Sequence, residues 1–104
     1  MKKKLGGIII PAVTPFEEDG TVSYDKMNTN IEKWNQTDVS GIMVLGTNGE
    51  FKSLSDDEAF EVIRFFCEHV SPEKVVIAGV GRESLYQTLR FIDRLYEAKL
   101  QIDY

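Results

Sequence analysis

The chain has 104 residues, with 12 Lys and Arg against 17 Asp and Glu, a net charge of −5 and one cysteine, Cys67. This length supports one small domain with a modest core, and the acidic balance excludes an extended basic surface for nucleic acid. A lone cysteine excludes an internal disulfide and any multi-cysteine zinc site, and points to a reducing cytoplasm.

The N-terminus, MKKKLGGIIIPAVTPFEEDG, opens like a secretory leader, with lysines before an apolar stretch. The stretch is short, Pro11 interrupts it, no small-residue cleavage site follows and acids arrive at Glu17, so secretion is disfavoured. GGIIIPAVTPF reads instead as a first strand ended by Thr14-Pro15, and its lack of alternation predicts burial on both faces. No run approaches the ~20 apolar residues needed to cross a bilayer, and no membrane partner is expected.

Ser23 is a plausible N-cap, and Tyr24, Met27, Ile31 and Trp34 then recur along one helical stripe. VSGIMVLG is a second buried run. Ser55 and Glu58 form a capping box, and Ala59, Val62, Ile63 and Phe66 continue a helix to about Val70. KVVIAGVG is a third run; Ser84 and Gln87 make another box, and Leu85, Leu89, Ile92 and Tyr96 line the next helix. QIDY enters a fourth strand. Ile8, Ile42 and Val76 are spaced by 34 positions each, which sets the three units in register. Strands alternating with helices imply a parallel sheet with right-handed crossovers.

Ligands in such folds sit where strands hand over to helices. Three stretches qualify: TPFEEDG, GTNGEFKSLS and GVGRES. In GTNGEF the phosphate-loop reading fails, because the Lys and hydroxyl residue required after the second glycine are missing. Asn48-Gly49 is a hairpin signal, but EFKSLS makes a poor partner strand and runs into the capping box, which favours a βα loop. Two glycines there let backbone N–H groups converge with the Thr47 hydroxyl and Asn48 amide, a donor set suited to a carboxylate or oxyanion. Spacing alone weighs this equally with a tight turn whose side chains satisfy local backbone. In GVGRES, Gly79, Gly81 and Ser84 approach a dinucleotide fingerprint with Asp103 downstream, although Ser84 replaces the third glycine and two units precede it. A bare glycine turn is preferred, with a small Rossmann-like nucleotide-binding module as the alternative. Cys67 and His69, two apart on a helix, point in different directions and make no nucleophile and base pair. Cys67 reads as packing and His69 as a helix C-terminal residue.

Together, GIIIPAVTPF, GIMVLGTNGEF, LSDDE and VVIAGVG resemble the N-terminal part of the dihydrodipicolinate synthase and N-acetylneuraminate lyase family. The resemblance implies an α/β fold in which residues 1–104 form the N-terminal part, about three and a half βα units, of a (β/α)8 TIM barrel. It implies a homo-oligomer, a tetramer at full length, and a class I lyase or aldolase that forms a Schiff base with pyruvate or another 2-oxo acid, without cofactor or metal. The family's G-[ST]-T-G-E loop matches Gly46 to Glu50. Thr47 then becomes the hydroxyl of the carboxylate and proton-relay site, with Asn48 and Gly49 supplying further donors. Asn48 stands where the synthases commonly have threonine, and NGEF is closer to 4-hydroxy-2-oxoglutarate aldolase-like branches. The family's Schiff-base lysine and catalytic tyrosines map beyond Tyr104. Of the eight lysines present, Lys2, Lys3 and Lys4 belong to the tail, Lys26 and Lys33 lie off the first helical stripe, and Lys74 and Lys99 lie at the far ends of the strands. Only Lys52 is on the loop side, where it reads as a solvated charge.

Overall fold

A computed structural model describes residues 3–104; Lys2 and the side chain of Asn48, both singled out above, lie outside the described residues. Three strands, β1 (Ile9–Pro11), β2 (Gly41–Val44) and β3 (Val75–Ala78), alternate with α1 (Tyr24–Asn35), α2 (Asp56–His69) and α3 (Leu85–Glu97). The strands form one parallel sheet in the order β1-β2-β3. Ile42 pairs with Val76 as the 34-residue spacing predicts, but Ile10 and not Ile8 faces it on β1. The shift is two residues, so side chains keep their faces.

Each helix begins where its cap residue stands. The Ser23 hydroxyl accepts from the Lys26 N–H, and Ser55 and Glu58 exchange both bonds of a capping box. At α3 only half of the predicted box forms: Ser84 Oγ accepts from the Gln87 N–H at 3.0 Å. Met27 and Ile31 of α1 meet Ala59, Val62, Ile63 and Phe66 of α2 over Ile42, Val44 and Val76 of the sheet. The ends of α1 and α2 are tied through Asn35, whose amide donates to His69 O at 3.0 Å and accepts from the Ser71 N–H at 2.9 Å.

Two expectations are corrected. β1 is not buried on both faces: Ile9 and Ile10 are half-buried, Pro11 is exposed, Ile8 just before it is 70% exposed, and full burial begins only past the strand at Ala12 and Thr14. On α3 the buried residues are Phe91 and Leu95, and the stripe of Leu85, Leu89, Ile92 and Tyr96 is exposed, Leu85 to 75% and Tyr96 to 84%. The two sets lie roughly 100° apart around the helix. Residues 101–104 form no regular strand, yet Tyr104 lies along β3, donating its N–H to Val76 O at 3.2 Å and accepting from the Ala78 N–H at 3.0 Å.

At the N-terminal end of the sheet, Lys74 is 95% buried by side-chain contact with backbone: it is 5% exposed, and its Nζ donates to Thr37 O at 2.9 Å and Val39 O at 2.8 Å. Lys3 Nζ donates to Lys74 O at 2.7 Å and pairs with Asp103 at 3.2 Å. No helix of the described residues is long and apolar enough to cross a membrane.

The exposed stripe on α3 predicts self-association. Size-exclusion chromatography with light scattering at micromolar concentration should give a mass above that of one chain, and Leu85→Lys with Leu89→Lys should lower it. A monodisperse monomer of the unsubstituted chain would contradict this.

Candidate functional site

The three handover loops meet at the C-terminal edge of the sheet. After β1 the ladder runs on through Ala12, whose N–H donates to Met43 O at 2.9 Å, and Thr14 follows as a buried polar residue. TPFEEDG folds back on itself, with Phe16 bridging Val22 and the Asp19 carboxylate accepting from both the N–H and hydroxyl of Thr21. Those bonds, the hydroxyl's first, hold Asp19 below the usual carboxylate pKa. Asp19 is therefore occupied in shaping its turn.

After β2 the chain enters two short 3-10 turns, Thr47–Gly49 and Phe51–Ser53, and then the α2 cap. There is no hairpin. The turns close on themselves: the Gly49 N–H donates to Gly46 O at 3.0 Å, Glu50 to Thr47 O at 3.1 Å and Ser53 to Glu50 O at 2.9 Å. Leu45 and Glu50, both at φ 58, adopt left-handed backbone on either side of the first turn. Such positions cost roughly 1–3 kcal/mol apiece for a non-glycine residue and persist where their surroundings over-determine them. The Leu45 carbonyl turns toward β3, where Gly79 meets it; a Cβ at Gly79 would overlap that oxygen. Gly79 also continues the ladder, donating to Val44 O at 2.7 Å.

Thr47 is exposed at the mouth of this loop, and its hydroxyl makes no hydrogen bond among the described residues. Gly49 lies deeper and is buried, its N–H spent within the turn and its carbonyl accepting from the Thr14 hydroxyl at 2.7 Å. Of the predicted donor set, then, the Thr47 hydroxyl faces outward, while Gly49 supplies close packing. Asp103, the acid downstream of the GVGRES glycines, accepts from the Val76 N–H at 2.9 Å and pairs with Lys3, well down the strand from the Gly79–Gly81 turn.

Two residues escaped the sequence reading. In the sequence Thr14 marks a strand end; a threonine before proline gives no sign that its hydroxyl reaches 35 positions along the chain. Arg82 stands beside glycines whose spacing is the more prominent signal. Its Nε pairs with Asp56 at 2.7 Å, its Nη1 donates to Gly81 O at 2.9 Å, and the guanidinium lies 4.0 Å over the Phe91 ring. With Phe51, Lys52 and Gln87 it walls a cleft of about 570 Å³ beside the loop; Thr47 is not among the lining residues.

The Dihydrodipicolinate synthetase family model matches residues 4–98. The chain belongs to this family. A 4-hydroxy-tetrahydrodipicolinate synthase from Methanococcus maripaludis is 40% identical over 85 residues, covering 82% of this chain and 29% of that protein. Among solved structures, Proteus mirabilis N-acetylneuraminate lyase superposes with a TM-score of 0.86 at 32% identity, covering 96% of this chain and 33% of that one. A prophage protein of the same family from E. coli K12, solved in complex with pyruvate, gives 0.81 at 29% identity, with 88% and 31% covered. The chain spans about 30% of the length of the curated relatives it matches.

Outside the loops, Cys67 and His69 behave as structural residues. Burial first, then the Asp103 charge, pushes the Cys67 thiol up to about 11. His69 Nδ1 lies 2.8 Å from Phe65 O and its ring stacks on Phe65 at 4.0 Å. Cys67 should accordingly alkylate slowly. A rise from 9.0 to about 11 leaves ~100-fold less thiolate at pH 8. Iodoacetamide labelling followed by intact mass should show that deficit against a free thiol; labelling at the free-thiol rate would contradict it.

Proposed function

We propose that residues 1–104 are the N-terminal portion, about three and a half βα units, of a (β/α)8 barrel lyase or aldolase that handles pyruvate or a related 2-oxo acid through a Schiff base. The observation that carries this reading is the exposed Thr47 hydroxyl, unbonded among the described residues, at the C-terminal end of the middle strand in a loop whose backbone–backbone bonds are internal. Family membership and a pyruvate-bound structural neighbour support the substrate class.

The chemistry follows from what a 2-oxo acid needs. Its carboxylate takes a hydrogen bond from the Thr47 hydroxyl, with Asn48 beside it and Gly49 allowing the loop to pack close, so that the keto carbon is presented in one orientation. A lysine amine attacking that carbon and losing water would complete the iminium. On this reading the lysine, and the tyrosines that relay protons, lie outside residues 1–104. The cytoplasm is the matching compartment, a homo-oligomer the matching assembly, and the chain alone is inactive.

Three measurements test the proposal. Equilibrium dialysis should show weak binding of radiolabelled pyruvate and none of NADH; the reverse would favour the nucleotide module. Thr47→Val should lower pyruvate affinity roughly tenfold while leaving the melting temperature unchanged, because the side chain is exposed. Incubation with pyruvate and borohydride, read by intact mass, should give no stoichiometric adduct. Lys74 is held by two carbonyls at the opposite end of the sheet, and Lys52 is an exposed ammonium 5.9 Å from the Phe51 ring. A stable adduct on Lys52 would overturn the fragment reading.

A further inference from the structure

The hydrogen bonds inside the 46–53 loop are local, so they stiffen the turns without fixing them to the sheet. Segment 46–49 lies between two left-handed residues, Leu45 and Glu50, where a small change in backbone angle would swing it as a unit. Among the described residues one long-range hydrogen bond restrains it. Thr14 is 4% exposed, and its hydroxyl donates to Gly49 O at 2.7 Å. A buried hydroxyl and a buried carbonyl that lose each other cost roughly 1–3 kcal/mol, so the bond selects one loop position. Gly49 fits the same contact from its other side: a Cβ there would lie 3.1 Å from Ala12 O and 3.5 Å from Thr14 Oγ1.

Thr47 shares its turn with Gly49, so the direction of its hydroxyl follows from where the Gly49 carbonyl is held. We infer that Thr14 is a positioning residue for 2-oxo acid binding: its hydroxyl clamps the Gly49 carbonyl to the end of the first strand and thereby aims Thr47, which touches the ligand. The inference rests on the reading of Thr47 given above. Thr14 itself contacts no substrate.

The test compares the unsubstituted chain with Thr14→Val and Thr14→Ser by hydrogen-exchange mass spectrometry and by dialysis against radiolabelled pyruvate, both of which tolerate self-association. Thr14→Val should speed exchange in peptides covering 46–50 about tenfold, leave peptides covering 59–66 unchanged and weaken pyruvate binding about tenfold. Thr14→Ser, which keeps the hydroxyl, should restore both to within about twofold. Unchanged pyruvate affinity in Thr14→Val, where the unsubstituted chain binds, would overturn the clamp and leave the Thr47 site standing. Absence of pyruvate binding by the unsubstituted chain would overturn the site reading and the clamp together. Exchange accelerated equally over 59–66, with no rescue by serine, would show Thr14 to be ordinary core and overturn the inference as well.

Discussion

Parallel strands cannot be joined by a tight turn, so each strand here must pass the chain to a helix before its neighbour can form. All three helices contribute to one core, and that shared cover buries Ile42 and Val44 of β2 and Val76 of β3. Ile42, Val44 and Val76 lie under it with Met27, Ile31 and Phe66, each such side chain contributing about 1.5–3 kcal/mol by leaving water. Met43 and Ile77, on the alternate positions, are only half-buried. Because the strands run parallel, their C-terminal ends share one edge, which is why the three handover loops collect there.

A carboxylate site made from a hydroxyl and backbone differs from one made with an arginine. Neutral donors gain little from distance and much from direction, so their selectivity depends on how firmly the loop is held. The 46–53 loop is suited to that demand: short 3-10 turns leave few free dihedrals, and the first turn is packed against β1 through a glycine. Two cations beside the loop, Arg82 and Arg94, are engaged by acids. Asp56 holds Arg82, and Arg94 Nη1 reaches Asp57 at 2.7 Å, so the acids at the start of α2 serve contact between helices as well as the helix dipole.

Local chemistry was legible where one residue decides it. Ser23, Ser55 with Glu58, and Ser84 announce their helices because an orphan N–H must find an acceptor close in sequence. The buried stripe of α2 was legible for a similar reason, since Ala59, Val62, Ile63 and Phe66 fall within an arc of roughly 100°. On α3 the apolar arc is wider than the core can cover, and periodicity selects Leu85, Leu89, Ile92 and Tyr96 when contact with α2 and the sheet selects Phe91 and Leu95. Burial of β1 failed on a related point: an apolar run without alternation is what a strand buried on both faces needs, but how many faces are covered depends on elements elsewhere. The Thr47 loop could be found from its glycines and its place between strand and capping box. Its attachment through Thr14 could not, because a bond spanning 35 positions leaves no local trace.

The left-handed Leu45 reaches beyond its own loop. Its carbonyl occupies the volume that a side chain at position 79 would need, so the exit from β2 and the exit from β3 are sterically one object. Loops on barrel-like sheets are often treated as interchangeable modules, free to be swapped while the strands stay constant. Here, recombination between relatives would have to transmit residues 45–54 and position 79 as a linked pair. A side chain at position 79 would require the exit from β2 to move as well, so the two exits change together wherever that glycine is replaced.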